Sequence, residues 1–228
     1  MSVSAPSRGP LTRAWRRLLR FGFRLLYHEL AFTYDAVSWT VSLGEWRRWQ
    51  RTALNHLTAP TGATVLELAH GTGDMQLDLR AAAYRTVALD FSPQMGRLTR
   101  RKLQRNGVPA PLVRGRAQAL PFADGAFPAV ISTFPTEFII EPETLCEVYR
   151  VLAPGGRLIV VFNGALTQGG AARQAIEAAY RATGQRGPWP EHVAARPEAA
   201  GFRARVVVEE LPRSVAWLLV AEKPEEGE

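Results

Sequence analysis

This chain of 228 residues has a single cysteine, Cys146. That excludes a disulfide framework and any site built from several thiolates. Its four histidines, His28, His56, His70 and His192, are scattered. None forms an HxxxH or HExxH pair, so no metal is expected. A long uncharged apolar run is missing as well. Arginines interrupt every apolar stretch within residues 1–30, which argues against a membrane span and against a secretory leader. A cytoplasmic location is the default expectation. There is no GxxxxGK[ST] phosphate loop, and no internal repeat.

What is present is an ordinary soluble composition, 46% hydrophobic and 21% charged, in a length that suits one domain with an added helical segment. The net charge of +7 is unevenly placed. Nine arginines face three acids within residues 1–60, which leaves +6 there and +1 over 61–228. So small a charge on the larger part is too little for a broad phosphate footprint; the basic end implies a local anionic partner.

Residues 1–10 read as a disordered tail. Residues 11–29 read as an amphipathic helix. At about 100° per residue, Arg13, Arg16, Arg17, Arg20 and Arg24 share one arc, with Trp15, Phe21, Phe23 and several leucines elsewhere on the wheel. Such a helix suits either a peripheral contact with the inner face of an anionic membrane or a lid packed on the domain, and both readings stay open. A second helix over about 44–57, with Trp46, Trp49, Ala53 and Leu57 at helical spacing, completes a helical cap over 11–57. Trp39, Trp46 and Trp49 are read as its core rather than as a stacking platform.

From residue 58 to 222 the pattern alternates. Apolar runs at 64–68, 86–89, 112–113, 129–133 and 157–162 read as strands. Helical stretches follow most of them, one of them capped by Ser92 and ending near Asn106 and another spanning Glu143–Leu152. Strands alternating with helices predict an α/β fold with a doubly wound, mostly parallel sheet. A helix near 170–182 and a short one at about 191–200 come next. Two runs with no helix between them, 204–208 and 214–221, predict a final antiparallel hairpin. Seven strands result, with 223–228 a frayed tail.

The segment carrying chemistry is TVLELAHGTGD (64–74). A strand, small residues and then a helix let a ligand approach the backbone, because Gly71 and Gly73 lack a Cβ. The N–H groups opening the next helix suit an anionic group. Asp90 closes the second strand, one strand on from Glu67. An acid there can bond both ribose hydroxyls, in dinucleotide-binding folds and in methyltransferases alike. The dinucleotide fingerprint GxGxxG is incomplete, since Gln76 stands where its third glycine would be.

Four ordered segments, VLELAHGTGD (65–74), ALDFSPQM (88–95), RGRAQALPFADGAF (114–127) and YRVLAPGGRLIVV (149–161), resemble the class I S-adenosylmethionine-dependent methyltransferases, particularly the ubiquinone/menaquinone C-methyltransferases. The stretch 27–49 is similar to that group's N-terminal cap. The resemblance implies S-adenosylmethionine as cofactor, a small-molecule acceptor of lipophilic or aromatic character, and no metal. It implies that Glu67, Ala69, Gly71 and Gly73 surround the methionine end of the cofactor. Asp90 would bind the ribose, Phe91 and Met95 would lie against the adenine, and Ala117 and Gln118 would border the adenine edge. Thr133 would lie below the sulfonium. No catalytic residue is implied, since the sulfonium is already electrophilic.

Four positions depart from the resembled pattern. Ala69 replaces a usual glycine, and Arg116 replaces a usual aspartate, although Arg cannot accept a hydrogen bond. Thr136 and Glu137 stand where the quinone enzymes carry an Arg-Asn pair. Two other classes remain: a nicotinamide-dependent oxidoreductase on a Rossmann-like sheet, and a non-catalytic binding module using the basic N-terminus. Among single residues, His70 is read as a solvated loop histidine, with contact to the cofactor as its alternative, and Glu137 as a surface acid, with a general base as its alternative. His192 is read as a helix cap, with a cover over the acceptor pocket as its alternative, and Cys146 as a buried small hydrophobe.

Overall fold

A computed structural model describes residues 42–108, 110–168, 170, 193–225 and 227. Residues 11–29, Trp39, the helix expected at 170–182 and His192 lie outside the described residues.

Five apolar runs form the strands β1 (Thr64–Leu68), β2 (Arg85–Asp90), β3 (Leu112–Arg114), β4 (Phe127–Thr133) and β5 (Leu152–Leu166). The hairpin strands β6 (Arg203–Leu211) and β7 (Ser214–Glu222) follow. They join into one seven-stranded sheet of order β3-β2-β1-β4-β5-β7-β6. β1 to β5 pair in parallel, and β7 runs antiparallel between β5 and β6. The doubly wound architecture expected from the alternation is therefore present.

Helices cover both faces. α1 (Trp46–Arg51) continues into a 3₁₀ turn at Thr52–His56. α2 (Asp74–Ala81) follows β1, and α3 (Pro93–Arg105) follows β2. A 3₁₀ turn at Glu137–Ile140 leads into α4 (Pro142–Val151), and α5 (Ala195–Ala199) precedes the hairpin. The strand period of two sorts side chains into two cores. Leu66, Leu68, Val130, Leu158 and Val160 enter one, packed with Leu145, Val148 and Phe202. Val65, Ile131, Ile159 and Val161 enter the other, with Trp49, Ala53, Met75 and Leu79.

Local signals account for most boundaries. Ser92 Oγ accepts from Met95 N at 3.3 Å and opens α3, with Pro93 in its first turn. β5 is longer than its apolar run because β7 pairs with it as far as Leu166, across a register shift between Val161 and Asn163. Asn163 and Gly164 are thus held in the strand by backbone pairing. Trp49 lies where a Gly164 side chain would be.

Cys146 corrects the sequence reading. It is exposed, because α4 turns Thr144, Leu145, Val148 and Val151 inward and leaves position 146 on the outer face.

Candidate functional site

The strand order switches between β1 and β4, since the chain runs outward from β1 to β2 and β3 and then crosses to β4 on the other side. Loops leaving the carboxyl ends of these strands diverge there and open a crevice. A cavity of about 480 Å³ occupies it, within the usual range for small-molecule sites, roughly 300–1,000 Å³.

The floor is the turn after β1. Ala69 takes a left-handed conformation, φ 55°, rare for a residue with a Cβ, and Gly71 follows at 53°. The turn is tied to β2 by Ala69 N donating to Leu89 O at 2.8 Å. It is tied again by Gly71 N donating to Asp90 Oδ2 at 3.0 Å. Ser92 N donates to the other Asp90 oxygen at 2.8 Å. Each carboxylate oxygen thus holds one backbone N–H and keeps further acceptor capacity for a ligand. A Cβ on Gly71 would meet nothing within 4 Å, so bare backbone edges the cavity.

Eight of the ten expected site residues line this cavity: Ala69, Gly71, Asp90, Phe91, Met95, Ala117, Gln118 and Thr133. Gly73 does not. Its Cβ would stand 2.6 Å from the Thr99 side chain, at φ 86°, so that glycine serves the close packing of α3 on the turn. Glu67 is also withdrawn. It is 1% exposed beneath the turn and accepts from Gln76 Nε2. Burial pushes its carboxyl up to about 8, with the Gln76 hydrogen bond opposing and Asp90, Asp74 and Asp78 adding to the rise. The group is predominantly neutral at pH 7.

His70 is not the solvated residue the sequence suggested. It is buried, with Nδ1 3.0 Å from Gly71 O and 3.2 Å from Thr99 Oγ1. Burial lowers its pKa, with Asp90 opposing. The left-handed Ala69 turns the following residue against α3, which a linear reading does not show.

At the Asp90 end, Phe91 is 54% exposed, with the Arg116 guanidinium 4.9 Å from its ring centre. Gln118 Nε2 donates to Glu141 Oε2 at 2.7 Å. At the other end, Trp46 stacks on Phe134 with ring centres 3.9 Å apart and 24° between planes. Pro135, Thr136 and Phe138 extend this wall. Gln50 Nε2 donates to Thr133 Oγ1 at 3.1 Å. Glu137 is exposed and outside the cavity wall, as the surface reading expected.

Gln50 and Phe134 are wall residues that sequence reasoning missed, and Trp46 is one it read as core. Trp49 is buried core as expected, whereas Trp46, one helical turn earlier, borders the cavity. Helical phase gave no signal for this, since positions 46, 49, 50 and 53 fall within one arc of about 100°.

Comparisons with known proteins agree with this architecture. The ubiE/COQ5 methyltransferase family matches residues 23–180. A demethylmenaquinone methyltransferase of Thermus thermophilus is 40% identical over 139 residues, 60% of this chain and 63% of that one. A ubiquinone/menaquinone biosynthesis C-methyltransferase of Klebsiella pneumoniae is 34% identical over 142 residues, 60% of this chain and 57% of that one. The matched stretch thus spans less than two thirds of these relatives. Among solved structures, a candidate S-adenosyl-L-methionine-dependent methyltransferase from Methanococcus maripaludis superposes with a TM-score of 0.62 at 15% identity over 100% of both chains. A phosphoethanolamine N-methyltransferase of Haemonchus contortus, in complex with S-adenosyl-L-methionine, gives 0.63 at 13%, covering 89% of this chain and 60% of that one.

Proposed function

This chain belongs to the ubiE/COQ5 methyltransferase family, and from that premise we propose that it transfers a methyl group from S-adenosylmethionine to a small lipophilic or aromatic acceptor. The observation that carries the reading is Asp90. It stands at the carboxyl end of β2, with its two oxygens anchored on Gly71 N and Ser92 N, beside a turn whose backbone is bare toward the cavity. That arrangement fits a ribose, whose two hydroxyls donate to one carboxylate.

In this reading Ala69 and Gly71 hold the methionine end against backbone groups. Glu67 acts from beneath, as a buried neutral carboxyl bonded to Gln76. Gly73 contributes by letting α3 close on the turn. Phe91 and Met95 flank the adenine, beside Ala117. Arg116 can only donate, so the adenine amino group needs another acceptor. The Glu141 carboxylate engages the nitrogen end of the Gln118 amide, which leaves the Gln118 oxygen for that role.

The cofactor supplies an electrophilic methyl on a sulfonium. The protein's own task is to align an acceptor atom in line with that methyl and to exclude water. Thr133, Trp46, Phe134 and Phe138 form the wall where an acceptor would lie. Its apolar, aromatic character favours a flat, lipophilic molecule. Gln76, at the position of the third fingerprint glycine, is fully buried, which speaks against the nicotinamide alternative. Contact of residues 11–29 with an anionic membrane, by which a lipophilic acceptor would arrive, belongs to the same proposal.

The test is titration calorimetry with S-adenosylhomocysteine. Wild-type protein binds it and does not respond to NAD. Asp90→Ala, checked as folded, weakens binding by about 1–3 kcal/mol, the range for losing hydrogen bonds to a charged acceptor. Unchanged affinity in that variant refutes the assignment.

A further inference from the structure

One residue of the cavity wall, Gln50, carries a polar atom with no partner. α1 presents Trp46 and Gln50 to the cavity from the same face. Gln50 is held through Nε2 on Thr133 Oγ1. Its Oε1, in contrast, is buried without any hydrogen-bond partner. Buried amide oxygens are rarely left so in native proteins, because the desolvation of the group is then uncompensated. An orphan on a cavity wall is explained when a ligand brings the missing donor.

The surroundings limit what that ligand is. Next to Thr133 begins the aromatic wall, where Phe134 stacks on Trp46 at 3.9 Å and Pro135 and Phe138 follow. A planar apolar body fits against these rings, while Gln50 Oε1 requires an O–H or N–H on it. We infer that Gln50 is a positioning and specificity-determining residue for the acceptor: its Oε1 accepts a hydrogen bond from a hydroxyl on a flat aromatic molecule lying against Trp46 and Phe134. This rests on the methyl-transfer reading above and assigns a role within it. An amide oxygen takes up no proton at neutral pH, so Gln50 orients the acceptor and does not deprotonate it. The orphan also sets specificity. A site built to bond a hydroxyl rejects an analogue that cannot donate, because the buried oxygen is then left unpaired.

The experiment uses the full chain saturated with S-adenosylhomocysteine and two matched probes, 1-naphthol and 1-methoxynaphthalene, titrated by NMR. They share the ring system and differ in the donor. Wild-type protein prefers the naphthol by about tenfold or more. Gln50→Leu loses that preference, bringing the two probes within about twofold, while Gln50→Glu, which keeps an acceptor oxygen, retains it. S-adenosylhomocysteine affinity stays within about twofold in both variants. Gln50→Leu removes the unpaired oxygen and also the Nε2–Thr133 bond, so the probe preference, not the melting temperature, is the readout.

Several outcomes overturn the inference. A preference that persists in Gln50→Leu does so. So does wild-type protein that binds neither probe or does not distinguish them. A tenfold loss of S-adenosylhomocysteine affinity in Gln50→Leu assigns the oxygen to the ammonium of the cofactor instead. Failure of wild-type protein to bind S-adenosylhomocysteine at all is a separate result, and it overturns the methyl-transfer reading itself.

Discussion

Glu67 shows how one buried acid can dominate the pH response of a site. The unfolded chain releases its proton near 4.5, whereas the folded protein holds it up to about 8. Between these values the native state carries the extra proton, so stability falls as pH rises. The contribution is fully present below 4.5 and is lost as pH climbs through about 8. Glu67→Gln removes the titration and supplies a donor to the buried Gln76 Oε1, which has no partner. Urea unfolding from pH 5 to pH 9 should show the variant gaining stability relative to wild type as pH rises. Parallel curves would mean that Glu67 is ionised in the native state. At this scale the sequence made Asp90, Phe91 and Thr133 legible, because each ends or follows a strand whose apolar run is visible. It placed His70 in solvent, because the φ values of Ala69 and Gly71 decide which way the residue between them turns, and no residue pattern encodes them.

α1 is an element with three working faces. Trp49 is buried in the core, and Trp46 and Gln50 border the cavity. Arg47 and Arg51 both bond Asp78 on α2, at 2.9 and 2.8 Å. Burial alone would raise the Asp78 carboxyl, but hydrogen bonds from Arg51 and Arg47 outweigh it and hold its pKa below 3.8. This pairing stabilises the folded state above that pH and is lost as pH falls through the depressed value. Both guanidinium groups are about half exposed, which screens the attraction. Asp78→Ala therefore costs only about 1–2 kcal/mol, since the freed arginines regain water. Removing both arginines leaves the 4% exposed carboxylate without its charge partners and costs more, about 3 kcal/mol. Urea unfolding of the two variants checks the order, and the reverse order would show that the arginines are ornamental. The sequence announced α1 through its tryptophan spacing, but not the exchange of α-helix for a 3₁₀ turn at Thr52. Nor did it announce the extension of β5 to Leu166, which is fixed by pairing with Ser214.

On the scale of the whole molecule, charge is unevenly placed. Residues 1–60 carry +6 and the remainder +1. No described helix is long and apolar enough to cross a membrane. In the proposed membrane contact, the arginines of residues 11–29, which lie outside the described residues, would each contribute about 1 kcal/mol at an anionic lipid surface. Co-sedimentation with anionic vesicles should be salt-sensitive and should disappear in a chain starting at residue 27. If the full chain stays in the supernatant at low salt, the membrane contact is wrong and the segment is a lid.

The sequence by itself determined the fold class, the order of strands and helices along the chain, and the turn and acid that border the cavity. These are local properties, because a strand run, a glycine turn and a capping serine act within a few residues of themselves. Only the tertiary structure decided the opposite wall. Gln50 meets Thr133 across 83 residues, and Ser214 meets Glu45 across 169, anchoring the start of α1 beside the hairpin. Contacts of that span depend on how two layers pack on one sheet, and periodicity within a segment carries no information about its distant partner.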